Sequence, residues 1–119
     1  KILIIEDEDN LRFLEKTFLK MAGYQVFEAE DGEIGLEMAK LEKPDVVLLD
    51  VMMPKKDGYQ VSREFAADPE LSHIPIILVT GTAQVIGNGI QINTPAKYKL
   101  TKPFSKEELY AAVATALKG

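Results

Sequence analysis

The sequence predicts an α/β fold in which a parallel sheet lies between two layers of helices. Short, uninterrupted apolar runs alternate with longer stretches of helical apolar spacing, and this pairing occurs five times along the chain. A strand buried on both faces has no polar side, so the unbroken runs favour a sheet covered on both faces. The 119 residues suffice for one domain, residues 1–119, and are too few for two of ordinary size. We therefore expect a doubly wound (βα)5 sandwich of three layers.

The first half of the chain contains three of the expected strands and two of the helices. Ile2–Ile5 and residues 46–49 are continuous apolar runs, and a shorter strand is expected at residues 25–29. Apolar residues at helical spacing lie between these strands, and Lys43-Pro44 ends the second helix. The apolar faces predicted for the two helices consist of Leu11, Leu14, Phe18 and Met21 in the first, and of Ile34, Met38 and Leu41 in the second.

The second half begins with a third helix, around Val61 and Phe65, and continues with the remaining strands and helices. Residues 74–79 predict the fourth strand, and residues 98–101 predict the fifth. Between them, residues 81–95 are rich in Gly and Asn, so we expect the fourth helix to be short or irregular. The last helix is predicted from a capping box, Ser105 with Glu108, and from an apolar face made of Leu109, Ala112, Val113, Ala116 and Leu117.

The composition excludes several kinds of site and partner. There is no cysteine, which excludes disulfides, thiolate zinc sites and a cysteine nucleophile, and His73 alone cannot form a His-rich metal site. The 14 basic and 19 acidic residues give a net charge of −5, which disfavours direct binding to nucleic acid or to an anionic membrane. No apolar run approaches the roughly 20 residues that span a bilayer. We therefore expect a soluble, cytoplasmic domain.

Chemically reactive side chains follow four of the five predicted strands. Glu6 and Asp7 follow the first strand, Asp50 the third, Thr80 the fourth and Lys102 the fifth. Because ligands bind outside the carboxyl ends of parallel strands, we expect these side chains to converge on one site. Carboxylates held that close repel each other unless a cation is present. Oxygen ligands without nitrogen or sulfur favour Mg²⁺.

The charges of this predicted site suit an incoming phosphoryl group. Glu6, Asp7 and Asp50 carry three negative charges, which Mg²⁺ and Lys102 would balance. The metal, Lys102 and the Thr80 hydroxyl can then share the phosphoryl oxygens. Each residue alone has an ordinary explanation, such as an acidic helix start or a strand-end hydroxyl. Their coincidence at four strand ends makes a shared site the better interpretation.

With these residues the chain resembles the receiver domain of two-component response regulators, over essentially its whole length. The resemblance implies a flavodoxin-like sheet of order 2-1-3-4-5 and a switch controlled by phosphorylation. Any one of the motifs is weak, but together and in this order they are highly specific. They are Glu6-Asp7, Leu48-Leu49-Asp50, Val51-Met52-Met53-Pro54, Asp57-Gly58, Thr80 and Lys102-Pro103-Phe104.

The resemblance implies that Asp50 is the phosphorylated residue. Its phosphoryl group would come from a phosphohistidine on a sensor histidine kinase or a phosphotransfer protein, in a reaction that requires Mg²⁺. Asp7, Asp50 and the backbone carbonyl of Met52 would bind the metal directly, and Glu6 would act through a water molecule. Such positioning and charge compensation are what phosphoryl transfer needs most.

The resemblance also implies how the site signals. Lys102 would pair first with Asp50 and then with the phosphoryl oxygens, and Thr80 would move toward the new phosphate. The resulting conformational change would control an output domain or protein. The domain would promote only its own phosphorylation and dephosphorylation, so we do not expect an enzyme. Many receivers carry an aromatic residue where this chain has Lys99, and Tyr98 should point to the opposite face, in a packing role.

A degenerate receiver that acts as a protein-binding scaffold without phosphorylation is the main alternative. Degenerate receivers are expected to lose some of the acids, Asp50, Thr80 or Lys102, whereas this chain retains them all. A Mg²⁺-dependent phosphohydrolase would typically carry a second aspartate where this chain has Met52. A flavin-binding module would have a glycine-rich phosphate loop after the first strand, where this chain has four acids.

Overall fold

The computed structural model describes residues 1–53, 57–81 and 97–118. The strands are β1 (Ile2–Ile5), β2 (Val26–Ala29), β3 (Val46–Asp50), β4 (Ile76–Gly81) and β5 (Tyr98–Lys102). The helices are α1 (Asp9–Met21), α2 (Gly32–Glu42), α3 (Gly58–Ala67) and α4 (Lys106–Lys118). All strand pairs are parallel and the order is β2-β1-β3-β4-β5, which confirms the predicted sheet. The predicted short or irregular helix falls on residues outside the described ranges and stays a prediction.

Each face of the sheet has its own apolar core. Side chains alternate along β1, so Leu3 and Ile5 pack with α2 and α3, whereas Ile2 and Ile4 pack with α1 and α4. All four of these β1 side chains have no exposed surface. Fully burying such a side chain contributes about 1.5–3 kcal/mol, and burial on both faces is why β1 has no polar alternation.

The predicted inner faces of α1 and α2 were right for Phe18 and Met38, which pack against the two cores, but wrong for other members. In α1 the buried residues are Glu15 and Leu19, whereas Leu14 is 41% exposed and Met21 is 65% exposed. In α2, Leu41 is 76% exposed, and the buried residues are the small Gly32, Gly35 and Ala39. A Cβ atom on Gly35 would lie 2.7 Å from Ile5 Cγ1, so the small residues allow α2 to approach the sheet closely. The most apolar side of a helix is therefore not always the side that packs.

Side-chain caps fix the starts of three helices. Asp31 accepts a hydrogen bond from the Ile34 backbone N–H at the start of α2, and Asp57 accepts one from the Gln60 backbone N–H at the start of α3. Ser105 and Glu108 form the predicted capping box before α4, with hydrogen bonds of 2.9 and 3.0 Å.

The fourth strand begins two residues later than predicted. The backbone N–H of Ile74 donates to the Leu71 carbonyl in a turn, so the strand starts only at Ile76. Within residues 1–53, 57–81 and 97–118, no helix has the length and the apolar character needed to cross a membrane.

Candidate functional site

The carboxyl edge of the sheet brings together the three acids that the sequence singled out. Asp50 is the last residue of β3, and Glu6 and Asp7 directly follow the neighbouring β1. Carboxylate oxygens of Glu6, Asp7 and Asp50 lie within 4.8 Å of one another. Glu6 and Asp50 are buried, with 1% and 3% of their surface exposed, while Asp7 faces solvent. The result is an acidic pocket in which the Glu6 and Asp50 side chains are buried and the Asp7 side chain is exposed to solvent.

Lys102 meets this pocket from the end of β5. Its Nζ lies 2.8 Å from Asp50 Oδ1, and its side chain is 30% exposed. Burial alone would lower the pKa of Lys102, but the ion pair with Asp50 and the negative charges of Glu6 and Glu15 raise it above its usual value. Lys102 is therefore a firmly charged ammonium group beside the buried Asp50 carboxylate.

Thr80 and Met52, the other two predicted site residues, lie beside the acids. Thr80 is 2% exposed, near the end of β4, and follows Val79, which pairs with Asp50 in the sheet. Its hydroxyl has no hydrogen-bond partner among the described residues. Met52 lies in the loop after β3 and its side chain is 64% exposed, so the buried pocket does not use its thioether. The prediction for Met52 concerned its backbone carbonyl.

The negative charges of the acids in this pocket repel one another, and the pKa values of two of them are raised. Burial raises the pKa of Glu6 to about 8, and the charge of Asp50 adds to the rise. Burial also raises the pKa of Asp50, although its pair with Lys102 opposes the shift. Glu6 Oε2 accepts a hydrogen bond from the Glu8 backbone N–H, whereas the buried Glu6 Oε1 has no hydrogen-bond partner among the described residues. Three clustered carboxylates with an unsatisfied buried oxygen fit a hard divalent cation such as Mg²⁺.

These shifts predict that the metal-free protein becomes less stable as the pH rises. The folded state keeps protons on Glu6 and Glu15, whose pKa values are about 8 and about 9, whereas the unfolded chain releases them near 4.5. The folded state thus binds more protons in this window, and the free energy of unfolding should fall between about pH 5 and about pH 8. Urea unfolding in a chelator at several pH values measures this slope, which Glu15→Gln should flatten. A stability that rises across the same window would contradict the assignment.

Arg12 supports the acidic pocket from α1, a role that the sequence did not predict. Its Nη1 donates a hydrogen bond of 2.9 Å to the Glu6 backbone carbonyl, and the same guanidinium pairs with Asp9 and with Glu28 on β2. Arg12 thus ties the end of β1 to α1 and to β2. The only sequence signal for this role is the position of Arg12, a basic residue one turn after the acidic residues that begin α1.

Gly58 packs directly against the end of β3, and this contact was also missed. A Cβ atom at this position would lie 2.5 Å from the Asp50 carbonyl oxygen and 2.7 Å from Val51 Cα. Both are backbone atoms, so the end of β3 or the start of α3 would have to move. We expect Gly58→Ala to destabilise the protein by about 1–3 kcal/mol, as overpacking does. Urea unfolding measures the loss.

Gly81→Ala is the matched control for that substitution. A Cβ atom on Gly81, at the end of β4, would meet no atom of the described residues within 4 Å. The free energy of unfolding of Gly81→Ala should stay within about 0.5 kcal/mol of the parent value, as for surface substitutions that make no new contact. Equal losses in the two variants would show that the close approach at Gly58 is not the cause.

Comparison with known proteins decides the family. The family model described as the response regulator receiver domain matches residues 2–114. The chain belongs to this family. The receiver domain is 42% identical over 118 residues to "Probable transcriptional regulator ycf27" of Guillardia theta, covering 99% of this chain and 45% of that protein. It is 37% identical to the protein PilH of Pseudomonas aeruginosa, covering 100% of this chain and 98% of PilH. The chain thus spans less than half of the ycf27 regulator.

Solved receiver structures agree with the fold and with the nature of the pocket. The receiver domain of the sensor histidine kinase PA1611 from Pseudomonas aeruginosa superposes with a TM-score of 0.89 at 27% identity, covering 99% of this chain and 97% of that one. That structure has a magnesium ion coordinated in its active site cleft. This receiver domain has an acidic cluster compatible with such an ion. Membership of the family implies a histidine kinase partner and an output.

Proposed function

We propose that this receiver domain accepts a phosphoryl group on Asp50 from a phosphohistidine of a sensor histidine kinase or a phosphotransfer protein. One observation carries the proposal. Asp50 is a buried carboxylate at the end of the central strand β3, with oxygens of Glu6 and Asp7 within 4.8 Å and Lys102 Nζ at 2.8 Å. A scaffold that works without phosphorylation has no need of this arrangement, which costs charge repulsion and desolvation.

In the proposed reaction, a carboxylate oxygen of Asp50 attacks the phosphorus atom. The new P–O bond forms as the P–N bond to the donor imidazole breaks, and that nitrogen keeps the electron pair. Lys102 Nζ pairs with an Asp50 oxygen before the transfer and lies close enough to pair with the phosphoryl oxygens after it. Bound Mg²⁺ would offset negative charge on those oxygens, with Glu6, Asp7, Asp50 and the Met52 carbonyl as its proposed holders. Water later attacks the phosphorus atom, the P–O bond to Asp50 breaks with its electron pair left on the Asp50 oxygen, and inorganic phosphate leaves.

The proposed output begins at Thr80. Its buried hydroxyl has no hydrogen-bond partner among the described residues, so a phosphoryl oxygen arriving nearby would supply one. A shift of Thr80 would move the end of β4 and change the surface read by an output domain or protein. The domain would act in the cytoplasm as a switch rather than as an enzyme on other substrates, without direct contact to nucleic acid or membrane. The net charge of −5 supports the last two points.

Intact mass spectrometry tests the acceptor role. The protein is incubated with acetyl phosphate as a small-molecule phosphodonor, in Mg²⁺ or in a chelator, and peptide mapping locates the modified residue. We expect one phosphoryl adduct, on Asp50, only when Mg²⁺ is present. If neither acetyl phosphate nor phosphorylated histidine kinases modify the folded protein, the proposal fails.

A further inference from the structure

A cavity of about 180 Å³ lies at the amino ends of β4 and β5, the ends opposite to those that carry the acidic pocket. It is enclosed by α3, by the turn that precedes β4 and by the start of β5. Ile76, the first residue of β4, lines it and lies four residues, or roughly 13 Å along the strand, before Thr80. The cavity is therefore separate from the acidic pocket, and the proposed reaction does not use it.

The inner wall of this cavity is mostly apolar and buried. Ser62 is a buried polar residue in the wall, and its hydroxyl donates a hydrogen bond of 2.8 Å to the Tyr59 carbonyl oxygen. A cavity of roughly 150 Å³ lined by apolar side chains holds a benzene ring, whereas drug-sized ligands occupy about 300–1,000 Å³. The volume therefore fits a molecule with one ring. The apolar residues of the wall, all from the core shared with α2 and α3, are Phe65, Leu71, Ile74 and Ile76.

The charge around this cavity is unusual for so acidic a chain. Lys97 and His73 line it and are exposed, which places them at the rim, and among the described residues no acid lines it. The whole chain has 19 acidic and 14 basic residues, and acids line the two other grooves of the described surface, for example Glu28 in one and Glu64 in the other. An ammonium group and an imidazole N–H can both donate hydrogen bonds to a carboxylate. The rim therefore favours an anionic ligand over a cationic one.

We propose that this cavity binds a small aromatic carboxylate, with its ring beside Phe65 and Ile76 and its carboxylate at the rim, within reach of the long Lys97 side chain. Burying the ring removes apolar surface from water, which supplies most of the binding free energy. The carboxylate stays near solvent, so it loses little hydration, and Lys97 gives the preference for an acid over a neutral analogue. The inference does not depend on phosphorylation of Asp50.

An NMR titration of the isotope-labelled protein tests the site, with benzoate as the probe and benzamide as its neutral counterpart. We expect benzoate to shift the signals of Leu71, Ile74 and Ile76, with saturation at a Kd on the order of 1 mM, as suits a ligand with so few atoms. Benzamide should bind about twofold to fivefold more weakly, since an exposed ion pair contributes little. Absence of saturation, equal affinity for the two probes, or shifts centred on Glu6 and Asp7 would overturn the proposal.

A pair of neighbouring substitutions on α3 tests whether the cavity itself is occupied. Ala66 and Ala67 are both exposed, but Ala66 lines the cavity and Ala67 does not. Ala66→Trp should fill the opening and weaken benzoate binding at least about tenfold, whereas Ala67→Trp should leave it unchanged. Equal losses in the two variants would overturn the proposal. Shifts of the same signals on dilution without benzoate would also overturn it, because a second copy of the chain would then be the occupant.

A pair of lysines tests the selectivity for an acid. Lys97 lines the cavity, whereas Lys99 is an exposed lysine two residues along the chain that does not. Lys97→Met should weaken benzoate binding by about twofold to fivefold and leave benzamide binding unchanged. Lys99→Met should leave both affinities unchanged. An equal loss of benzoate binding in the two variants would show that only the general charge of the surface matters, and would overturn the role of Lys97.

Discussion

Asp50→Asn should abolish phosphoryl acceptance while leaving the protein folded. The Asn amide is a poor nucleophile, so the rate of adduct formation with acetyl phosphate and Mg²⁺ should fall by at least about a thousandfold. Asp50 is 3% exposed and its pKa is raised by burial, so the amide also removes a charge that the fold accommodates poorly. Lys102 loses its ion pair with Asp50, but its side chain is 30% exposed, so solvent can solvate the ammonium group. We therefore expect the metal-free variant to be as stable as the parent or up to about 1 kcal/mol more stable.

The combination of unchanged stability and lost acceptance is the decisive result. Intact mass after donor treatment gives the acceptance, and urea unfolding in a chelator gives the stability. Asp45→Asn is the matched control, because Asp45 is an exposed aspartate that directly precedes the first residue of β3, the strand that Asp50 ends. That variant should accept a phosphoryl group at the parent rate. An adduct that persists in Asp50→Asn on another residue would reject Asp50 as the acceptor.

The positions of the site residues could be predicted from the sequence because the strands are buried on both faces. An unbroken apolar run ends where the strand leaves the core, so Asp50 and Thr80 at the ends of such runs had to lie at the carboxyl edge. Parallel strands then bring those ends together. Local signals of this kind also located the capping box before α4, because its two hydrogen bonds join residues three apart.

The missed features depend on rotations and close approaches that spacing does not encode. The turn of α1 about its axis decides that Glu15 is buried and that Met21 is 65% exposed, although hydropathy suggests the reverse. The packing of the start of α3 against the end of β3 decides that a Cβ atom at Gly58 would meet the Asp50 carbonyl oxygen. In both cases tertiary packing overrides the local pattern, and it does so next to the site.

Asp7→Asn should weaken Mg²⁺ binding and thereby remove most of the phosphoryl acceptance at ordinary Mg²⁺ concentrations. Asp7 faces solvent while its carboxylate lies within 4.8 Å of oxygens of Glu6 and Asp50, so it is the acid of the pocket best placed to meet an entering cation. An amide keeps one oxygen but loses the charge that a hard cation requires. Loss of an outer-shell partner already weakens metal binding by about 10–100-fold, and loss of a direct ligand should exceed that. Titration calorimetry with Mg²⁺ measures the affinity.

Glu8→Gln separates a ligand effect from a general loss of negative charge. Glu8 is the adjacent exposed acid, and it contacts Glu6 through its backbone N–H, which the substitution leaves intact. If Asp7 binds the metal, Asp7→Asn should weaken Mg²⁺ binding far more than Glu8→Gln, and raising the Mg²⁺ concentration should partly restore acceptance in Asp7→Asn. Similar losses in the two variants would mean that Asp7 attracts Mg²⁺ through its charge and is not a direct ligand. In that case Glu6 and Asp50, which are buried, would have to supply the direct carboxylate ligands without Asp7.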